Sequence, residues 1–140
     1  MIFSFKQIIV RATLVTVLIA IGFQAKAQTD NQITRYNYFF LEAIRQQEMG
    51  NLSAAFDLLR HARDINPKAP EVYYEIAGYY IDMQNSKAAR YNFEKAAELA
   101  PDNASYLEKL GQFYISQNNY EQALAAYERL YANNKTREDV

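Results

Sequence analysis

A 34-residue period runs from Tyr36 almost to the end of the chain, and it restricts the fold more than any other feature. When Tyr36–Ala69, Pro70–Asn103 and Ala104–Arg137 are superposed without gaps, Ala55, Ala89 and Ala123 coincide. So do Leu59, Phe93 and Tyr127, and likewise Ala43, Ala77 and Gly111. A period of this length marks one supersecondary unit used repeatedly, whose apolar face is buried only by its neighbours. Arrays of this kind offer an extended surface to a partner and seldom carry catalytic groups.

The second unit shows the pattern most clearly. Tyr73, Ile76, Ala77 and Tyr80 are spaced i, i+3, i+4 and i+7, one face of an α-helix. Gln84-Asn85-Ser86 breaks the pattern with turn-prone residues. Ala89, Phe93, Ala96 and Ala97 then line one face of a second helix, closed by Leu99. Pro101-Asp102-Asn103 ends it, since proline cannot continue the backbone hydrogen bonding and Asp and Asn favour turns. The unit is therefore a helical hairpin. Small Ala77 is expected to face Ala89 and Ala96 at the crossing, with Tyr73, Tyr80 and Phe93 filling the space around it.

The third unit repeats the arrangement with Leu107, Leu110, Gly111 and Tyr114, an Asn118-Asn119 turn, then Ala123, Tyr127 and Leu130. The first has Phe39 and Ala43, a Met49-Gly50-Asn51 turn, then Ala55, Leu59, Ala62 and Pro67. Gly50 suits a turn position with positive φ.

The residues before the array read differently. Lys6 and Arg11 precede an apolar stretch, Ala12–Phe23, broken only by Thr13, Thr16 and Gly22, and Ala25-Lys26-Ala27 follows. A basic start, a short apolar run and an A-x-A site read as a secretory signal peptide over residues 1–27, cleaved after Ala27; the alternative is an uncleaved N-terminal anchor. The run falls short of the roughly 20 apolar residues of a spanning helix, so no integral span remains after cleavage. Polar residues 28–35, QTDNQITR, read as a flexible leader.

Cleavage removes Lys6, Arg11 and Lys26 and no acid, so the formal charge goes from −1 to −4. An acidic chain is a poor ligand for nucleic acid, which requires a clustered positive face. With no cysteine there is neither a disulfide nor a residue for a lipoprotein anchor.

The residues Tyr73-x2-Ile76-Ala77-x2-Tyr80, Ala89-x3-Phe93 and Pro101 resemble the tetratricopeptide repeat pattern, and the resemblance covers Tyr36–Arg137. It implies an all-α, right-handed solenoid of three helix-turn-helix hairpins, residues 36–69, 70–103 and 104–137, behind the signal peptide. Combined with that signal peptide, the chain resembles the exported members of the family in Gram-negative bacteria, periplasmic or associated with the cell envelope. The departures are local. Glu42 and Gln46 stand where the pattern has an aliphatic and an aromatic residue, a polar terminal face turned to water that leaves the first hairpin the least stable. Lys135 replaces the closing proline and Leu130 the small residue.

In this family the first helix of each hairpin lines a concave groove. By register, the resemblance puts Asn37, Phe40, Leu41 and Ile44 there from the first unit, and Glu71, Tyr74, Glu75 and Ile81 from the second. Ser105, Glu108, Lys109, Gln112 and Ile115 come from the third. Such a mixed apolar and charged strip suits an extended or helical peptide with a few apolar anchors; the competing reading makes Phe40 and Leu41 core. The carboxylate clamp of some relatives is not expected, because Lys109 is the one basic groove residue and Glu75 and Glu108 repel an anionic terminus.

No cofactor, metal or catalytic reading emerges. His61, the single histidine, lies between Arg60 and Arg63 without a second ligand. Glu94 and Glu98 read as a solvated helix face. Phosphate-loop, nucleophile-elbow and H-E-x-x-H patterns are absent. Most tyrosines that could stack on a ligand fall at core positions of the repeat.

Thr136-Arg137-Glu138-Asp139 resembles a helix start, with Thr as N-cap and acids in the first turn. Residues 138–140 are thus expected to open a further helix of a longer array, leaving Tyr127, Leu130 and Tyr131 on an uncapped C-terminal face. The functional expectation is a non-enzymatic scaffold holding a peptide or protein in its groove. The alternative is an oligomerisation or docking arm that assembles, or self-associates, through that face.

Overall fold

The computed structural model describes Gln24, Lys26 and residues 28–138, and the chain divides into two units, residues 1–35 and 36–140. The signal-peptide reading falls on residues outside the described set, apart from Gln24 and Lys26. Residues 28–35, expected as a flexible leader, are helical. They contain no Gly or Pro to break a helix, and the Thr34 hydroxyl donates to the Asp30 carbonyl one turn back (2.9 Å). Their side chains are all exposed, which is why no apolar periodicity announces this helix.

In the second unit every described regular element is a helix. They are α1 (residues 36–48), α2 (Leu52–Ile65), α3 (Pro70–Asp82), α4 (Ser86–Leu99), α5 (Ala104–Ser116) and α6 (Tyr120–Glu138). Helices α3 and α4 pack as one hairpin, α5 and α6 as the next, and the hairpins stack through α2 against α3 and α4 against α5. In the first hairpin, Ala43 of α1 shares a buried cluster with Ala55, Leu59 and Ala62 of α2.

The turns inside the hairpins are alike at the same register. Gly50, Gln84 and Asn118 all have positive φ, 80°, 57° and 59°. The N–H of each donates three residues back, at 3.0, 2.8 and 2.9 Å. The next residue, Asn51, Asn85 or Asn119, donates five back, to Gln46, Tyr80 or Tyr114. These paired bonds satisfy the last carbonyls of the first helix. Asn85 and Asn119 then turn their side-chain oxygens to the N–H of Ala88 and Gln122 and cap the second helix. Only Gly50 is a glycine, so the other two turns are set by hydrogen bonding that residues able to enter the left-handed region can accept.

Between hairpins, proline decides. Asn66 and Ala100, each before a proline, leave the helical region at φ −128° and −133°. Pro70 then occupies the first turn of α3, where its missing N–H costs nothing. Lys135 supplies no such stop. Helix α6 runs unbroken through Glu138, so the expected helix start at Thr136 and residue 138 is corrected: these residues continue α6.

The buried residues form two clusters. One joins Leu59, Ala62, Val72, Tyr73 and Ile76; the other joins Ala77, Ala89, Phe93, Leu107, Leu110 and Phe113. Ala77 meets Ala89 in one cluster as expected, whereas Ala96 lies in the other. Two tyrosine hydroxyls tie neighbouring hairpins together: Tyr36 donates to Glu71 and Tyr114 to Glu94, both at 2.6 Å. Burial, then the hydrogen bond to the carboxylate, pushes both phenols well above the ordinary tyrosine range. Glu42 and Gln46 are not simply hydrated. Arg45 and Gln46 both donate to the Glu42 carboxylate, and Asn51 donates to Gln46. The bonds from Arg45 and then Gln46 hold the Glu42 carboxyl down at about 2.

Candidate functional site

A cleft of about 270 Å³ opens along the first helices of the hairpins. Helix α3 supplies most of it, through Tyr74, Glu75, Gly78, Tyr79, Ile81 and Asp82. Gln47 ends α1 on one side, Lys109 of α5 stands on the other, and Leu52 and Phe93 complete the wall. Residues 74, 75, 78, 81 and 82 recur at helical spacing, so one face of α3 is turned into the cleft. Gly78 matters here by what it lacks: a Cβ built on it meets no heavy atom within 4 Å. Its register partners are Ile44 and Gln112, so the missing side chain leaves an opening in the middle hairpin.

Glu75 is the chemically distinctive group. It is half-buried, and burial raises its carboxyl above the usual range, opposed by a hydrogen bond from Gln47. The Gln47 oxygen accepts from the Tyr79 hydroxyl (3.3 Å), which joins α1 to α3. Among the described residues no Lys, Arg or His forms an ion pair with Glu75. Tyr74 lies against Tyr106 (centroids 5.1 Å) and edge-on to Phe93 (6.1 Å), which fixes its ring.

The groove residues read from register divide. Tyr74, Glu75, Ile81 and Lys109 come together in the cleft. Asn37, Phe40, Leu41, Ile44, Glu108 and Gln112 do not line it. Phe40 stacks on Tyr36 (5.7 Å) and packs against the core, while Leu41 is 65% exposed. Glu108 accepts from Gln112 within α5 (3.1 Å), and Glu71 is engaged by Tyr36. Ser105 and Ile115 are exposed.

Sequence reasoning missed Gln47, Leu52, Gly78, Tyr79, Asp82 and Phe93 as cleft residues. Gln47 aligns with Ile81, so the repeat register could have found it. Gly78 was passed over because it has no side chain to recognise. No signal in the sequence points to Phe93, a core position by pattern whose ring also forms the cleft wall.

At the other end, Tyr127 and Leu130 are half-buried and Tyr131 is 71% exposed. The register counterpart of Tyr131 is Ala97, which is buried with Leu107 and Leu110 of the following helix. His61 is exposed and packs edge-on against Phe39, at 4.3 Å. Among the described residues no cluster of three or more His, Cys, Asp or Glu could hold a metal ion. No described helix is long and apolar enough to cross a membrane.

Comparison with known proteins agrees with this architecture. Two models of the tetratricopeptide repeat match, one over residues 70–103 and one over residues 92–125. The crystal structure of MamA superposes with a TM-score of 0.68 at 16% identity, covering 75% of this chain and 61% of that one. The MamA RS-1 ArsTM double mutant superposes with a TM-score of 0.68 at 13% identity, covering 75% and 59%. At such identities the likeness concerns the fold alone, and this chain spans about three-fifths of those proteins. Repeat register, hairpin geometry and both matched stretches agree that residues 70–125 are built of tetratricopeptide repeats.

Proposed function

We propose that the protein is a non-enzymatic interaction scaffold of the cell envelope that holds a peptide or protein segment in the cleft along its first helices. The observation that carries this reading is the cleft itself. It combines an open position at Gly78, aromatic walls and apolar rims at Leu52 and Ile81. Pockets of this character, largely formed in advance, are where ligands are usually held.

Gly78→Phe tests it. The added ring has room to enter the cleft, so the helical fold is kept while the site is filled. Peptides selected from a random display library on the full chain are expected to lose binding to this variant, with an unchanged circular dichroism spectrum. Peptides that bind the variant equally well would remove the cleft from the function.

The docking-arm reading is favoured by one specific observation, the exposure of Tyr131 at a position buried in the preceding repeat. It predicts that assembly, measured by sedimentation, depends on Tyr131 and is indifferent to Gly78→Phe. The envelope location rests on Lys6, Arg11, the apolar run and Ala25-Lys26-Ala27. Intact mass of protein recovered from cells is expected to correspond to a chain starting at Gln28; a mass retaining residues 1–27 would overturn it.

A further inference from the structure

The cleft has a chemical preference written into it. Glu75 lines the cleft together with Gln47, whose side-chain oxygen accepts from the Tyr79 hydroxyl and ties α1 to α3. No described cation pairs with Glu75, although Lys109 lines the same cleft. Its partial burial makes the isolated charge costly, a cost that an incoming cation would offset.

The surroundings point the same way. Asp82 stands in the cleft two turns along the same face of α3 from Glu75, and Lys109 is the single basic residue lining it. The aromatic walls, Tyr74 and Tyr79, can cover the methylenes of a long cationic side chain and face its charge. Leu52 and Ile81 form apolar rims, both largely exposed, where a residue beside the cation would lie.

We infer that the occupant of the cleft is a partner segment bearing an arginine or lysine flanked by apolar residues, with the Glu75 carboxylate as its counter-ion. This rests on the scaffold reading above. Charge complementarity of this kind selects one partner chemistry and disfavours anionic segments.

The probe is the peptide enriched from a random phage-displayed library on the full chain, together with a twin in which its basic residue is replaced by norleucine. Binding is measured by fluorescence anisotropy to the wild type, Gly78→Phe and Glu75→Gln. The expected result is a basic residue next to an apolar one, and loss of about tenfold in affinity for the norleucine twin on the wild type. On Glu75→Gln the two peptides bind nearly alike, because the coupling between base and carboxylate is gone. Glu75→Gln is expected to fold normally, since the substitution removes a charge that burial already disfavours; an unchanged or higher melting temperature confirms it. Peptides that need an open Gly78 but are indifferent to their basic residue, or to Glu75→Gln, overturn this inference and leave the scaffold reading standing. Peptides that ignore Gly78→Phe overturn both.

Discussion

Phe93→Ala is expected to lower the urea unfolding midpoint by about 2 M, the shift that a loss of about 3–5 kcal/mol produces at the slopes usual for small domains. Phe93 is 2% exposed and sits in the cluster with Ala77, Leu107 and Phe113. Its ring lies 5.5 Å from that of Phe113 and edge-on to Tyr74. It therefore joins α3, α4 and α5, two hairpins rather than one. Removing it opens a cavity that these helices cannot close without separating from each other. Stability in a repeat array is a sum of intrinsic and neighbour terms, so a defect at this junction weakens both hairpins together. The total for a domain of this size is only about 5–15 kcal/mol, so the loss is a large share of it. A midpoint shift of less than about 0.5 M would mean the junction is more loosely packed than described.

Gly111→Leu is the second large effect, about 2–3 kcal/mol of destabilisation from overpacking. A Cβ at Gly111 would stand 2.8 Å from both Cε2 and Cζ of the Tyr127 ring. A leucine adds branches where even a methyl group is too close, so the Tyr127 ring must leave its place against α5 or α5 and α6 must move apart. Gly78→Ala has the opposite sign. Nothing lies within 4 Å of the new methyl, so the gain in helix propensity, about 1 kcal/mol, is expressed in full. Thermal melts of both variants measure the contrast. The double variant Gly111→Leu, Tyr127→Ala is expected to recover part of the loss. Equal effects at the two glycines would contradict the close approach of α5 and α6.

Those glycines show where sequence reasoning stops. Both sit on the first helix of a hairpin, and by pattern Gly111 was recognised as a crossing position because it aligns with Ala43 and Ala77. Gly78, one residue past that column, carried no signal, yet it leaves the space on which the proposed site depends. Glu75 and Lys109 were legible from register, as were Tyr74 and Ile81. Phe40 falls on the same strip by register, but its ring stacks on Tyr36 and packs against the core, a contact with a residue one helical turn away on its own helix. Residues 28–35 and the continuation of α6 were misread for one reason. A polar stretch without Gly or Pro can stay helical although it buries nothing, and periodicity detects only helices that bury a face.

The sequence by itself determined the element type, the hairpin unit and its period. Apolar spacing at 3.6 residues, prolines after α2 and α4, and asparagines at the turns are local properties, each acting within a few residues of itself. Only the tertiary structure decided which residues meet between helices: the Gln47 amide against Tyr79, Phe93 as both core and cleft wall, and Tyr127 against Gly111. Those meetings depend on the distance and angle between stacked helices. That geometry is set by the combined packing of many side chains, so no single stretch of the sequence encodes it.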